Sequence, residues 1–518
     1  MKLLHRLFPL LLALLLALAL PLSFAGCGQK EPVGEQEEEE ENNDTPALPE
    51  GDRIGAVPLA DCVIVTTGSP TVAETRTAAM LRKQIATVKG VDLTICKSTS
   101  ATAKNAAGKI LIGASLCKKA KPEGDHDFAL AGNGNTLEVS AKSSYGYQAA
   151  LNYLTRSVVT KNRTVEIDDD VAATGHGAPF LTAEQTHNGE VRFMVNNVYG
   201  FGEQNGAEQR MQMLLDLYQT YSPDVIGLQE FHASTGVHPR TILYRLLTQA
   251  GYTEVMIDNG DGTFSHGEST PLFYKADVLE LLDCGHLLYT DAPDLNAEAY
   301  QSILGSYTIN DVKVSDYSKS ITWGIFRVKA TGHVFMAAST HLFYLRNNDV
   351  GNDARDEIWR RVQAAVAKET LLTAADAYLA QNGLEAGSMP ILLGGDMNTT
   401  MNGSTYTTLT GNAPSSSGAY TGKNAMVNTN QLAPEGSRIV NSTNHHHEGN
   451  WNATYKVYDE PYTESKEAYA YSLDYIFVNS AARANGSIRI RYSAALFDLF
   501  AMLATDHCPV LIDFDLGD

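Results

Sequence analysis

The chain has 518 residues, with 39 Lys+Arg against 60 Asp+Glu, a formal net charge of -21 and 44% hydrophobic types. At about 100–200 residues per domain, this length calls for several folded units, and a charged fraction of only 19% excludes a globally disordered chain. The acid excess also excludes a protein that grips nucleic acid mainly through a broad basic face, but not an enzyme whose bound cation supplies positive charge locally.

The first elements predict an address. Lys2 and Arg6 precede an apolar run from Leu7 to Leu20, and Ala25-Gly26 stand directly before Cys27, so residues 1–26 read as a secretory leader. Small residues before a cysteine resemble a bacterial lipoprotein signal. That would make Cys27 the lipidated terminus of an extracytoplasmic, cell-surface protein that meets the membrane only through its anchor. An ordinary signal peptide would give a secreted protein, and an uncleaved anchor helix is the third reading. Residues 27–52 follow as an acidic tether: Gly28–Glu50 holds one Lys against nine acidic residues, a net -8, which leaves -15 on residues 51–518. Such a segment self-repels and stays extended. The five cysteines beyond Cys27 show no metal-ligand spacing, so buried free thiols are expected, although an extracytoplasmic setting would permit a pair among Cys62, Cys96 and Cys117.

From 53 to 175 the pattern predicts a small α/β accessory domain. Strands are expected at Cys62–Val65, Leu93–Cys96, Lys109–Gly113, Thr136–Val139 and Thr164–Ile167, with helices at Ala73–Lys89 and Tyr145–Leu154. The order of these elements is similar to that of accessory domains preceding catalytic domains in some secreted glycoside hydrolases, which implies a spacer or a carbohydrate-proximal module.

Residues 189–518 are long enough for one large domain, and six apolar runs in it end in polar groups. These are Phe193–Val198 with Asn196-Asn197, Asp224–Glu230, Ala338–Leu342 around His341, Ile391–Asn398 with Asp396 and Asn398, Ser472–Phe477 with Asp474, and Ala504–Val510 with Asp506-His507. Strands that finish this way can converge their groups at one end of a sheet, where α/β folds place ligands. Carboxylates and amide oxygens without thiolates suit a hard cation such as Mg2+ or Mn2+. Histidines beside carboxylates suit proton transfer, and the combination describes phosphoester hydrolysis.

The ordered set NV, LQE, THL, GGDMN, LDYIF and TDHCPV resembles the endonuclease/exonuclease/phosphatase (DNase I-like) superfamily. The resemblance implies a four-layer α/β sandwich, two packed mixed β-sheets flanked by helices. It implies metal ligation by Asn197, Glu230 and Asp506, water activation by Asp396, phosphate contacts from Asn398 and His341, and general-acid or charge-stabilising chemistry at His507 with its tautomer set by Asp474. Asn196 is the other candidate for the amide ligand. Ser318–Trp323 is similar to the RSATW segment of bacterial hydrolases of the superfamily, with Lys319 in the Arg place as a substrate contact, a point charge without the guanidinium fork.

The function expected is a surface-tethered, metal-dependent phosphoesterase acting on a phosphodiester or a phosphomonoester. An extracellular DNA or RNA nuclease and a catalytically silent surface-binding module are the alternatives. No obligate protein partner is evident, and nucleic acid enters as a possible substrate. Elsewhere, His445-His446-His447-Glu448 reads as a solvated loop, since adjacent side chains on extended backbone point apart. Ala354–Tyr378 reads as a helix whose wet face carries Arg355, Arg360 and Arg361, and Thr399–Lys423 and Asp291–Ser320 read as rim loops.

Overall fold

The computed structural model describes residues 50–517 apart from 182–188, 201–205, 232–238, 259–263, 266–268, 293–297, 315–317, 345–353, 438–450 and 460–471. The leader, Cys27, nearly all of the acidic tether and the His445–Glu448 run lie outside the described residues. Among the described residues no helix is long and apolar enough to cross a membrane, and Cys62, Cys96, Cys117, Cys284 and Cys508 are free thiols.

Residues 53–176 build the first sheet from β1 (Cys62–Thr66), α1 (Val72–Lys89), β2 (Thr94–Lys97), β3 (Gly108–Ile112), β4 (Asp127–Gly132), β5 (Thr136–Ala141), α2 (Ser144–Tyr153) and β6 (Ala172–His176). The strand order is β2-β1-β3-β5-β4-β6, parallel through the first four strands and antiparallel at β4 and β6. A capping box starts α1: the Thr71 hydroxyl accepts from the Glu74 amide and the Glu74 carboxylate accepts from the Thr71 amide. Gly90 then ends the helix at φ 70°. Two strands of this sheet escape the sequence pattern, β4 and β6. Both are rich in Ala and Gly and poor in β-branched residues, so only pairing with neighbours makes them strands.

The rest of the chain stacks two six-stranded sheets. One contains β7 (Val191–Asn197), followed by α3 (Ala207–Tyr221), β8 (Val225–Gln229), α4 (Pro239–Gln249), β9 (Tyr252–Glu254) and β10 (Leu272–Lys275). The other contains β11 (Leu279–Leu288), β12 (Ser320–Val328), β13 (Val334–His341), then α5 (Ala354–Gln381), β14 (Ile391–Asp396), α6 (Ser404–Thr410) and β15 (Met426–Asn428). A short hairpin, β16 (Trp451–Asn452) and β17 (Val457–Tyr458), precedes β18 (Asp474–Asn479), β19 (Ile488–Ala495), α7 (Leu499–Ala504) and β20 (Val510–Leu516). The orders are β9-β10-β8-β7-β20-β19 and β11-β12-β13-β14-β18-β15, and both sheets are mixed.

Period-2 alternation explains the layers. In β7, Val191, Phe193 and Val195 enter the core between the sheets with Phe335, Leu392, Ile476 and Phe514. Met194 turns the other way, into a core with the helices α3, α4 and α7. Across the molecule Met336, Leu393 and Phe477 pack outward against Trp359, Val362 and Leu371 of α5. Helices, sheet, sheet and helices give the expected four-layer sandwich, with the central strands β7, β8, β13, β14 and β18 buried on both faces.

Three expectations need correction. Thr399–Lys423 is not merely a rim loop: α6 packs Tyr406 and Leu409 into the core under α5. The Asp291–Ser320 insertion likewise buries Tyr300, Ile303, Leu304 and Val312 in that core. Arg360 is not on a wet face. It is 6% exposed, with its guanidinium on the Glu357 carboxylate and the Phe343 carbonyl, because the α5 stripe curls under the chain leaving β13.

Candidate active site

Strand register assembles the site. In the sheet that starts with β11, His341 pairs with Asp396 across parallel β13 and β14, and Asp396 pairs with Asp474 across antiparallel β14 and β18. The three side chains therefore stand in one lateral row at the end where β13 and β14 finish and β18 begins. In the facing sheet of the sandwich β7 and β8 run parallel and finish with Asn197 opposite Gln229, so Glu230 follows at the same edge. The turn between α7 and β20 brings Thr505, Asp506 and His507 to that edge.

Close backbone approach forces the glycines of the GGD run. A Cβ at Gly395, where φ is 140°, would overlap the Thr340 carbonyl oxygen, and one at Gly394 would strike Val195 of the facing sheet. Glu230 and Asn398 both adopt positive φ, 57° and 46°. Such conformations are uncommon for these residue types outside turns, and here they direct both side chains into the cleft.

Asn197, not Asn196, faces this cleft. Asn196 points toward α3, where the Tyr218 hydroxyl donates to its Oδ1 at 2.7 Å. The Asn197 Nδ2 donates to Glu230 Oε1 at 3.3 Å and to Asp396 Oδ2 at 3.1 Å, while its Oδ1 accepts from the Tyr199 amide at 3.0 Å. Asp396, 2% exposed, is held on its other oxygen by the Asn398 amide at 2.9 Å. Asn398 Nδ2 in turn donates to the Leu342 carbonyl at 2.9 Å, tying the loop after β14 to the end of β13.

His507 Nδ1 lies 2.6 Å from Asp474 Oδ2, and its Nε2 lies 3.8 Å from Asp506 and 3.9 Å from Asp396. Burial opposes charge on this imidazole, but Asp474, Asp506 and Asp396 together outweigh it and raise its pKa well above the ordinary value. Burial also pushes the Asp474 carboxyl up, to about 6, against the pull of His507. A buried pair surrounded by further carboxylates holds its protons tightly.

Ligand-type atoms of Asp396, Asp474 and His507 all lie within 4.8 Å of one another. Asp474 and His507 spend their facing atoms on each other, however, so a cation fits better on the oxygen side. Among the described residues Glu230 Oε2 is buried without a hydrogen-bond partner, and an oxygen left this way inside an acidic cleft fits a hard divalent ion. Glu230, Asp506 and the remaining lone pair of Asn197 Oδ1 are the donors on that side.

The endonuclease/exonuclease/phosphatase family model matches residues 197–507, the span that carries every one of these groups. The chain belongs to this family. Its members hydrolyse phosphoesters and use divalent metals. The fold is similar to that of an endonuclease/exonuclease/phosphatase from Bacteroides vulgatus, at 21% identity over 63% of this chain and 99% of that one, with a TM-score of 0.40. It is similar to a mannosyl-6-phosphatase from Bacteroides thetaiotaomicron at 17% identity, 62% and 99% coverage and a TM-score of 0.40. It is also similar to the catalytic domain of human Nocturnin with a bound sulfate anion, at 16% identity, 64% and 97% coverage and a TM-score of 0.37. No curated protein matches the chain.

All eight ligand and polar positions expected from the family resemblance meet in one cleft, and Lys319 joins them. Lys319 is 6% exposed, and its ammonium lies 2.7 Å from His341 Nε2, which is also 3.5 Å from Asp396. With an ammonium donating to Nε2, the His341 ring proton belongs on Nδ1. Arg210 escaped the sequence reading. From α3 its buried guanidinium donates to the carbonyls of Ala504, Val198 and Tyr199 and lies 5.4 Å from the Tyr199 ring, clasping the two turns that deliver Asn197 and His507. An arginine on a helix with no neighbouring motif carries no signal of such a role.

Proposed function

We propose that this protein is a metal-dependent phosphoesterase, hydrolysing a phosphodiester or a phosphomonoester by direct attack of water, tethered outside the membrane through Cys27. The single observation that carries the chemistry is the cleft arrangement. A fixed carboxylate, Asp396, stands between a cation-ready side with Glu230 and a proton-holding pair, Asp474 and His507. A binding module needs no such division of labour, which favours an enzyme over the silent-module reading.

Glu230 and Asp506, with the Asn197 amide oxygen, would hold the divalent ion, which when bound offsets the negative charge of the phosphoryl oxygens. Asp396 is held by donors on both oxygens, so it can orient a water and accept its proton as that oxygen bonds to phosphorus. The bond from phosphorus to the leaving oxygen breaks in line. His507, positioned by Asp474, presents Nε2 to the cleft and can protonate that leaving oxygen. Lys319, supported by His341, adds a cation on the opposite flank of Asp396 for the phosphoryl charge. The apolar run, the small residues before Cys27 and the acidic stretch Gly28–Glu50 support the tethered location.

The test is turnover of bis-p-nitrophenyl phosphate, p-nitrophenyl phosphate, plasmid DNA and sphingomyelin with Mg2+ or Mn2+, beside Asp396→Ala and His507→Ala. Metal-dependent turnover of one class, lost in both variants, is expected and would choose the substrate branch. A folded wild-type protein without turnover on any of the four would sink the proposal.

A further inference from the structure

The N-terminal sheet region touches the two helices from which the cleft turns hang. Asp498 is the N-cap of α7, its Oδ1 accepting from the Phe500 amide at 2.9 Å. Its Oδ2 accepts from the Tyr145 hydroxyl of α2 at 2.6 Å, from the Tyr221 hydroxyl of α3 at 2.8 Å and from the Phe180 amide at 3.2 Å. Asp498 is 1% exposed. One buried anion thus joins α2 of the first region, α3 and α7 of the second, and the chain between them.

The rest of the contact points the same way. The Tyr145 ring packs edge-on against Phe500 of α7, centroids 4.8 Å apart, and the Ser144 hydroxyl donates to Asp216 of α3. From α1, buried Arg76 donates to the carbonyls of Tyr458 and Asp459, and the Lys83 ammonium lies 2.6 Å from the Asp459 carboxylate. These hold the β16–β17 hairpin, whose Trp451 and Tyr458 press on Gly206 at the start of α3.

Downstream of these contacts, α7 runs into Thr505, Asp506 and His507, and Arg210 of α3 clasps the turns on both sides of the cleft. The Thr505 hydroxyl donates to the Asn197 carbonyl at 2.7 Å, so a tilt of α7 reaches both flanks. We propose that the N-terminal region is a positioning element of the active site, acting through Tyr145 and Asp498 on α7 and through Arg76 on the hairpin and α3. It thereby sets where Asn197 and His507 stand. This goes beyond a spacer role and rests on the phosphoesterase reading only for its activity readout. Because misplacement by about 1 Å can cost up to about a hundredfold in rate, loss of one such bond should be visible in kcat.

The experiment uses the full chain, with Tyr145→Phe and Arg76→Gln beside Leu130→Ala. Leu130 lies in the core of the first region and takes part in none of these bridges, so its variant reports destabilisation without loss of a bridge. Expected are a kcat lowered about fivefold or more in Tyr145→Phe with KM within about twofold, and faster amide exchange across residues 499–508. Leu130→Ala should lower the melting temperature yet leave both readouts unchanged. Wild-type kcat and exchange in Tyr145→Phe and Arg76→Gln, or equal losses in Leu130→Ala, would overturn the proposal. If the wild-type protein turns over no phosphoester, the exchange of residues 499–508 alone decides: accelerated in Tyr145→Phe it upholds positioning while the catalytic reading falls, and unchanged it overturns positioning as well.

Discussion

Two glutamates, one in each half of the molecule, receive opposite treatment. Glu138 on β5 of the first sheet is 1% exposed and closed on both oxygens, accepting from the amides of Lys119 at 2.7 Å and Ala120 at 2.9 Å and from Asn133 Nδ2 at 2.8 Å. Among the described residues Glu230 at the end of β8 accepts only a long bond from Asn197 at one oxygen and leaves the other buried without a partner. A buried charge whose needs are met by the chain itself is structural, whereas one left open must be completed from outside. The first region folds its carboxylate shut, and the cleft keeps its own available.

The largest break in this symmetry is catalytic. Asp396→Ala and His507→Ala should each cut phosphoester turnover by about two to four orders of magnitude while circular dichroism stays unchanged, whereas Glu138→Gln should leave kcat within about twofold of wild type. Next comes the metal. Mn2+ at about a hundredfold its dissociation constant should stabilise the wild-type protein by about 2.7 kcal/mol in thermal unfolding, and chelation with EDTA should remove both this stabilisation and activity. Glu230→Gln should lose the metal-induced rise without lowering the metal-free melting temperature, because it removes one of several like charges.

Stability sharpens the other side. Glu138→Gln turns an amide NH2 toward at least one of its three donors, and leaving buried groups unsatisfied should cost about 1–3 kcal/mol in chemical denaturation. The smallest effect is in pH. Burial would raise the Glu138 carboxyl, but the donors from Ala120, Asn133, Lys118 and Lys119 outweigh it and hold its pKa below the usual value. Stability from a depressed carboxylate is present above the unfolded pKa, about 4.3, and is lost as pH falls through the folded value. Acid unfolding below that pH should therefore be shallower in Glu138→Gln than in wild type.

The cleft was legible because its residues sit at strand ends within short apolar runs, and a strand carries its terminal residue to the sheet edge by geometry alone. The family pattern favoured Asn197 over Asn196, and the structure separates them by the period-2 alternation that sends one to the cleft and the other to Tyr218. What the pattern could not supply was long-range pairing. The register that lines up His341, Asp396 and Asp474, the Lys319 ammonium on His341, and the Arg210 clasp join residues far apart in sequence. The wet face expected for Arg360 failed for a similar reason, since a helix stripe says nothing about which loop crosses it.

The central claim is that Glu230 is left open for a cation while Glu138 is closed. Calorimetric titration of Mn2+ into metal-free wild-type protein, Glu230→Gln and Glu138→Gln tests it most directly. One binding isotherm of the same affinity in wild type and Glu138→Gln, with binding abolished or weakened at least about tenfold in Glu230→Gln, is the predicted result. Wild-type affinity in Glu230→Gln, or no binding to the wild-type protein, would contradict it.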